Sequence, residues 1–110
     1  MPNKQYSVEF TPIAMSDLEE IYIYIATQLY NERSASGIID KIKDRIKQLE
    51  TFPLSGAMVQ DNVWPCKGYR MLVIEKYLVF YKVDEDEKLV IIVRVLCGLR
   101  NYPEVIESEE

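Results

Sequence analysis

Hydrophobic residues recur along this chain with two periods. Over residues 4–10 the period is two: Tyr6, Val8 and Phe10 alternate with Gln5, Ser7 and Glu9, the pattern of a strand with one wet face. From residue 12 to about residue 30 the apolar positions Ala14, Leu18, Ile21, Tyr22, Ile25 and Leu29 step by 4, 3, 1, 3 and 4, which draws one stripe down a helix. A second stripe, Ala35, Ile38, Ile39, Ile42, Ile46 and Leu49, begins after Asn31 and ends near Phe52-Pro53. The connection is too short for a crossover, so the two helices form an antiparallel hairpin. Three stretches dense in β-branched and aromatic residues follow, at 69–74, 77–83 and 89–96, divided by Glu75-Lys76 and by the four-acid loop 84–87. They predict a three-strand antiparallel meander.

Local chemistry fits these boundaries. Thr11-Pro12 makes a helix start, the threonine oxygen capping and the proline sitting where a missing N–H is harmless. Asp17, Glu19 and Glu20 come early in that helix. Gly37 costs the second helix about 1 kcal/mol relative to alanine, which predicts a close approach of a neighbouring element. On the second helix Lys41, Lys43, Arg45 and Lys47 interleave with Asp40, Asp44 and Glu50, a solvated face rather than a basic patch. Residues 54–65 read as a loop carrying the only tryptophan, Trp64, as an anchor. The expected fold is α+β: an N-terminal strand, the helical hairpin, then the meander, with the helices covering one sheet face and the other meeting water, a partner or a ligand. At 110 residues the chain is expected to be one domain, residues 1–110, ending in an acidic tail at 103–110.

Charge refines the picture. The chain carries a net charge of -5, which argues against a protein that grips nucleic acid across its whole surface. Yet residues 67–102 hold seven of the thirteen lysines and arginines, and if the acidic loop projects from one end, the body of the meander is locally basic. There is no histidine, and Cys66 and Cys97 lack metal-ligand spacing, so no metal and no cofactor is expected. No apolar run is long enough to cross a bilayer and the N-terminus lacks a secretion signal, so no membrane association and a cytoplasmic location are expected.

Several pieces together resemble the RelE/ParE toxins of bacterial type II toxin-antitoxin modules. They are A-x-x-D-L-E-E-I-x-x-Y-I from Ala14, L-x-x-x-P-x-x-G from Leu49 to Gly56, then Gly68-Tyr69-Arg70, the Y-x-V-F-Y-K-V strand from Tyr77, and R-V-L-C-G-L-R-N-Y from Arg94. The resemblance implies a small cognate antitoxin as partner. It also implies one of two targets. The long helical hairpin is similar to the ParE branch, whose targets include DNA gyrase, whereas RelE-like members cut messenger RNA on the ribosome.

RNA cleavage by 2′-hydroxyl attack needs a base, an acid and donors for the phosphate charge. Arg70, Arg94, Arg100 and Tyr102 are the catalytic candidates if the protein is a ribonuclease. Lys67, Arg70, Lys76, Lys82, Arg94 and Arg100 are candidates for contact with a target or nucleic acid. The bland alternatives are that Arg70 and Arg94 point to the open sheet face or pair with Glu9 or Glu75, and that the lysines merely solvate an edge. Tyr77 and Tyr81 share a sheet face with Val79 and Val83 and read as core.

The chain departs from the RNA-cleaving pattern at four places: Leu78 replaces an arginine, Met71 a lysine, Cys97 the usual histidine, and Leu99 the first arginine of G-R-R. These departures favour a toxin that acts by binding a target such as gyrase. A ribosome-dependent endoribonuclease, and a non-toxic domain that only engages an antitoxin, stay open.

Overall fold

The computed structural model describes residues 5–28, 32–59 and 68–98. The observed order is β1 (Ser7–Phe10), α1 (Pro12–Gln28), α2 (Glu32–Lys47) with a 3-10 turn at Gln48–Glu50, β2 (Ala57–Met58), β3 (Tyr69–Ile74), β4 (Tyr77–Asp84) and β5 (Leu89–Cys97). This is the α+β arrangement expected, with two additions. A two-residue strand, β2, emerges from the stretch read as loop, and the sheet has five strands in the order β1-β5-β4-β3-β2. β3, β4 and β5 form the antiparallel meander, β2 pairs antiparallel to β3, and β1 lies parallel to β5 with Ser7 opposite Leu89 and Phe10 opposite Ile92.

α1 starts as its first residues dictate. Thr11 Oγ1 accepts from the Ala14 N–H at 3.0 Å, satisfying one of the orphan donors of the first turn, and donates to the Val93 carbonyl at 3.0 Å. One threonine therefore caps the helix and ties its start to β5. Both helices lie on one face of the sheet, where Ala14, Leu18, Ile25, Ala35, Ile42, Ile46 and Leu49 meet Leu72, Ile74, Tyr77, Val79, Tyr81, Val90, Ile92 and Val95. Fully burying each leucine or isoleucine stabilises the fold by about 1.5–3 kcal/mol.

The opposite face is not bare, as the sequence reading expected. Leu78, Phe80 and Leu96 are buried there in a smaller cluster, with Val59, Tyr69 and Met71 packed against it. The two clusters divide β4 by alternation, odd positions inward to the helices and even positions outward. On β5 the alternation breaks. Val95 faces Val79 and Arg94 faces Phe80, but Tyr81 faces Ile92, so Val93 has no partner across the ladder. This bulge moves the helix-facing set from the odd residues Val95 and Cys97 to the even residues Val90 and Ile92.

Gly37 has no packing reason. A Cβ built on it meets nothing within 4 Å, so the predicted close approach is absent. Gly37→Ala is therefore expected to stabilise the protein by about 0.5–1 kcal/mol, read as a rise in the urea midpoint at unchanged slope. The α2 lysine that finds a defined partner is Lys41, whose Nζ lies 2.6 Å from Glu75 Oε2 in the β3-β4 turn, a contact between elements rather than along the helix.

Candidate functional site

Of the two strand arginines named from the sequence, Arg94 is buried and Arg70 half-buried, and both are tied to groups of the protein. β1 stops opposite Ile92, and no described strand flanks β5 beyond that point. α1 takes over the edge with side chains. Asp17 Oδ2 accepts from the Val95 N–H at 3.0 Å and from Arg94 Nε at 2.8 Å, while Asp17 Oδ1 accepts from Arg94 Nη2 at 2.9 Å. The fork-to-carboxylate geometry is the strong bidentate kind, and both side chains are more than nine-tenths buried. Arg94 therefore neither points to the open face nor pairs with Glu9 or Glu75; its carboxylate is Asp17.

Arg70 is half-buried and works on a loop. Its Nη1 donates to the Leu54 carbonyl at 3.1 Å and to the Gly56 carbonyl at 2.8 Å. Beside it Tyr81, fully buried, donates its hydroxyl to the Pro53 carbonyl at 2.9 Å and accepts from the Gly56 N–H at 2.9 Å. The loop from Pro53 to Gly56 is thus pinned from below by a phenol and from the side by a guanidinium.

Of the exposed cations, Lys82 shares a depression with Arg70 and Lys76 does not. Lys82 stands on the outer face with its Nζ 5.1 Å from the centre of the Tyr69 ring, and Lys76 lies in the β3-β4 turn 5.8 Å over the Tyr77 ring, both within cation–π range. Nor is the meander purely basic. Arg70 and Lys82 border a shallow depression of about 600 Å³ that Asp84, Glu85 and Asp86 also line, so the acidic loop faces the basic residues instead of projecting clear of them. Lys67, Arg100 and Tyr102 lie outside the described residues, as do Trp64, Cys66, Leu99 and the tail at 103–110.

A second cavity, of about 450 Å³, opens where the middle of α1 faces the ends of β4 and β5. Glu20, Ile21 and Tyr24 form one wall; Tyr77, Leu96 and Cys97 form the other. Burial is the main cause raising the Tyr77 phenol above its ordinary value, followed by the nearby Cys97, Tyr24 and Glu75. Tyr81 is raised too, by burial against the opposing pull of the Gly56 N–H and Arg70. In both cases the unfolded chain releases its proton at lower pH than the folded one. Stability should accordingly hold up to about pH 10, the ordinary phenol value, and fall as pH climbs further toward the raised folded-state values. Phenolate absorbance should show two of the eight tyrosines titrating late and together with unfolding.

Sequence reasoning passed over Asp17, although its signal was present. Asp17 sits between Ala14 and Leu18 on the apolar stripe of α1, and a carboxylate on a buried face requires a partner. Among the described residues no group of three or more metal-ligating side chains gathers.

With the geometry in hand, the relatives can be placed. The family model of the ParE toxin of type II toxin-antitoxin systems matches residues 8–102. The chain belongs to the ParE toxin family. A chain of the chromosomal ParDE system from P. aeruginosa is 23% identical, covers 86% of this chain and 98% of its own, and superposes with a TM-score of 0.67. The RelBE2 toxin-antitoxin complex of Mycobacterium tuberculosis contains a chain 21% identical, covering 88% of this chain and 99% of its own, at a TM-score of 0.59. A free, doubly substituted variant of E. coli RelE is 13% identical with 98% of both chains covered, at 0.63. At these identities the solved structures share the fold. No curated protein sequence matches the chain. The ParE-like α+β fold and the toxin family of type II systems are thus established; the target is a separate question.

Proposed function

We propose that this ParE-family chain arrests growth by binding a large target such as DNA gyrase, without covalent chemistry, in the cytoplasm where that target works, and that a cognate antitoxin neutralises it. The observation that carries the reading is the use made of Arg70 and Arg94. Both were candidates to hold a scissile phosphate, and both commit guanidinium donors to groups of the protein itself: Arg70 Nη1 to two loop carbonyls, and Arg94 Nε and Nη2 to a buried carboxylate. A phosphate clamp that used those donors would have to break those bonds first. The antitoxin partner is supported by the relatives, several of which were solved as toxin-antitoxin complexes. Lys76 and Lys82, exposed on the sheet, together with Lys67 and Arg100, are the residues proposed to meet the target.

Expression in bacteria without antitoxin, following growth, translated messages and plasmid supercoiling in one culture, tests this. Arrest with relaxed plasmid or double-strand breaks and whole messages is the expected result. Weaker arrest in Lys76→Glu or Lys82→Glu would place the contact on the exposed lysines without disturbing the fold. Arrest with messages cut only during translation would overturn the reading in favour of a ribosome-dependent endoribonuclease. No arrest would leave a domain that only engages an antitoxin.

A further inference from the structure

Tyr77 and Cys97 stand directly opposite each other, at the first position of β4 and the last of β5. Opposed residues of an antiparallel ladder share one face, with Cβ atoms about 4.5–5.5 Å apart. A phenol and a thiol therefore lie side by side, and both line the cavity of about 450 Å³ beside α1. Tyr77 is more than nine-tenths buried, yet its hydroxyl has no hydrogen-bond partner among the described residues. Tyr81, the other deeply buried phenol on this strand face, is bonded at both ends. Buried polar groups are ordinarily bonded, so the Tyr77 hydroxyl marks the cavity as a place for a polar ligand. Cys97 is a free thiol and only half-buried, so it is not sealed into the core. The rim carries one charge of each sign. Lys76, exposed in the β3-β4 turn, holds its Nζ 5.8 Å over the Tyr77 ring, and Glu20 is exposed on α1. Asp17 adds no free charge, because Arg94 neutralises it. The volume lies within the range of about 300–1,000 Å³ that small-molecule sites occupy, and the mixed rim suits a zwitterion better than a simple anion or cation.

We propose that this cavity is a thiol-modification site: it binds a low-molecular-weight disulfide built from amino acids, and Cys97 takes up one half of it by thiol–disulfide exchange. The Cys97 thiol releases its proton to solvent and its sulfur attacks one sulfur of the bound disulfide. The bond between the two ligand sulfurs breaks as the new S–S bond forms, and the departing half leaves as a thiolate that takes up a proton. One thiol and one disulfide give one mixed disulfide and one thiol, so the ligand itself is the oxidant. Lys76 pairs with a ligand carboxylate, Glu20 with its ammonium group, and the Tyr77 hydroxyl donates to a carboxylate or amide oxygen. Lys76 is also proposed to meet the target, and an adduct on Cys97 would occupy that lysine. The covalent change falls on this chain and requires no target, so it stands or falls separately from the growth-arrest reading.

The test uses the full chain carrying Cys66→Ser, which leaves Cys97 as its one thiol. Glutathione disulfide is the probe, bis(2-hydroxyethyl) disulfide its uncharged counterpart, and intact mass followed over time gives the rate of adduct formation. Each rate is divided by that of the same chain unfolded in urea, which removes the intrinsic reactivity of the probe. The folded chain should gain one glutathionyl group, lost again on adding dithiothreitol, at a rate that saturates with glutathione disulfide and falls when S-methylglutathione competes. The normalised rate should favour the charged probe over the uncharged one. Tyr77→Phe should lower it about fivefold, the loss of one hydrogen bond, and Lys76→Gln with Glu20→Gln should remove the preference for the charged probe. The thermal midpoint of Tyr77→Phe reports its folding. Were it to fall, the Lys76 and Glu20 variants, both exposed, carry the test. No adduct on Cys97 would overturn the proposal. So would a rate that never saturates and treats both probes alike, because Cys97 would then be an exposed thiol without a binding site.

Discussion

Asp17→Ala should cost about 3–5 kcal/mol, because it strands the buried Arg94 guanidinium without its carboxylate and removes the acceptor of the Val95 N–H in the same stroke. Small domains are stable by only about 5–15 kcal/mol in total, so a fall of roughly 15 °C in the thermal midpoint is expected. Asp17→Asn keeps an oxygen for Val95 and should lose less. The double variant Asp17→Leu with Arg94→Met separates charge from edge capping. Replacing a buried pair by apolar groups of similar size is commonly neutral or better, but the Val95 N–H is still orphaned, at about 1–3 kcal/mol. The double variant should therefore lie between Asp17→Asn and Asp17→Ala. A single Asp17→Ala variant within about 1 kcal/mol of the parent, below the usual loss for breaking such a pair, would show that the pair carries little of the fold.

This pair has consequences for activity assays in the family. A loss of toxicity in Arg94→Ala is what both a catalytic arginine and a structural one predict, since the fold of β5 depends on it. The two are separated by comparison with Asp17→Ala, which keeps the Arg94 guanidinium and removes only its carboxylate partner. If it abolishes activity in parallel with stability, the arginine acts through the fold. The exposed Lys76 and Lys82 are free of this ambiguity, and that is why they are the better probes of target contact.

How far the sequence reaches can be judged on particular residues. The periods placed α1, α2, β3, β4 and β5 close to their observed limits, and Thr11 caps α1 as its position required. The parallel pairing of β1 with β5 joins residues some eighty positions apart, and neither strand's composition names the other. The short β2 is invisible because two residues carry no period. Arg94 shows why the site was harder than the fold. A basic residue on an alternating strand reads as outward, and whether it stays outward depends on the bulge at Val93 and on a carboxylate seventy-seven positions away. Neither is a local property of the segment. Gly37 shows the converse: helix propensity marked it as anomalous, and the structure offers no neighbour to account for it.

Gly56→Ala is expected to be the second most damaging change, and for a reason that no propensity scale supplies. A Cβ at Gly56 would lie 2.6 Å from the Tyr81 hydroxyl oxygen, 2.8 Å from its Cε1 and 2.8 Å from the Met71 carbonyl oxygen. None of the three has room to yield. Tyr81 is fully buried with its hydroxyl bonded at both ends, and Met71 is fixed in the ladder opposite Phe80. Overpacking against such neighbours costs about 1–3 kcal/mol, and displacing the loop also breaks the Tyr81 and Arg70 bonds to it, so a loss of about 3 kcal/mol is expected on denaturant unfolding. Tyr81→Phe removes one of the three obstacles but orphans the Gly56 N–H and the Pro53 carbonyl, about 1–3 kcal/mol on its own account. The double variant should accordingly be less stable than Gly56→Ala alone, because Cε1 and the Met71 carbonyl remain in the way. Recovery in the double variant would instead identify the hydroxyl as the sole obstacle, and the glycine would then be a requirement of that phenol and not of the backbone. Hydrogen exchange locates the damage: protection at Gly56 should fall before protection at Ile92, since the Gly56 N–H is bonded to the Tyr81 hydroxyl against which the new methyl group pushes.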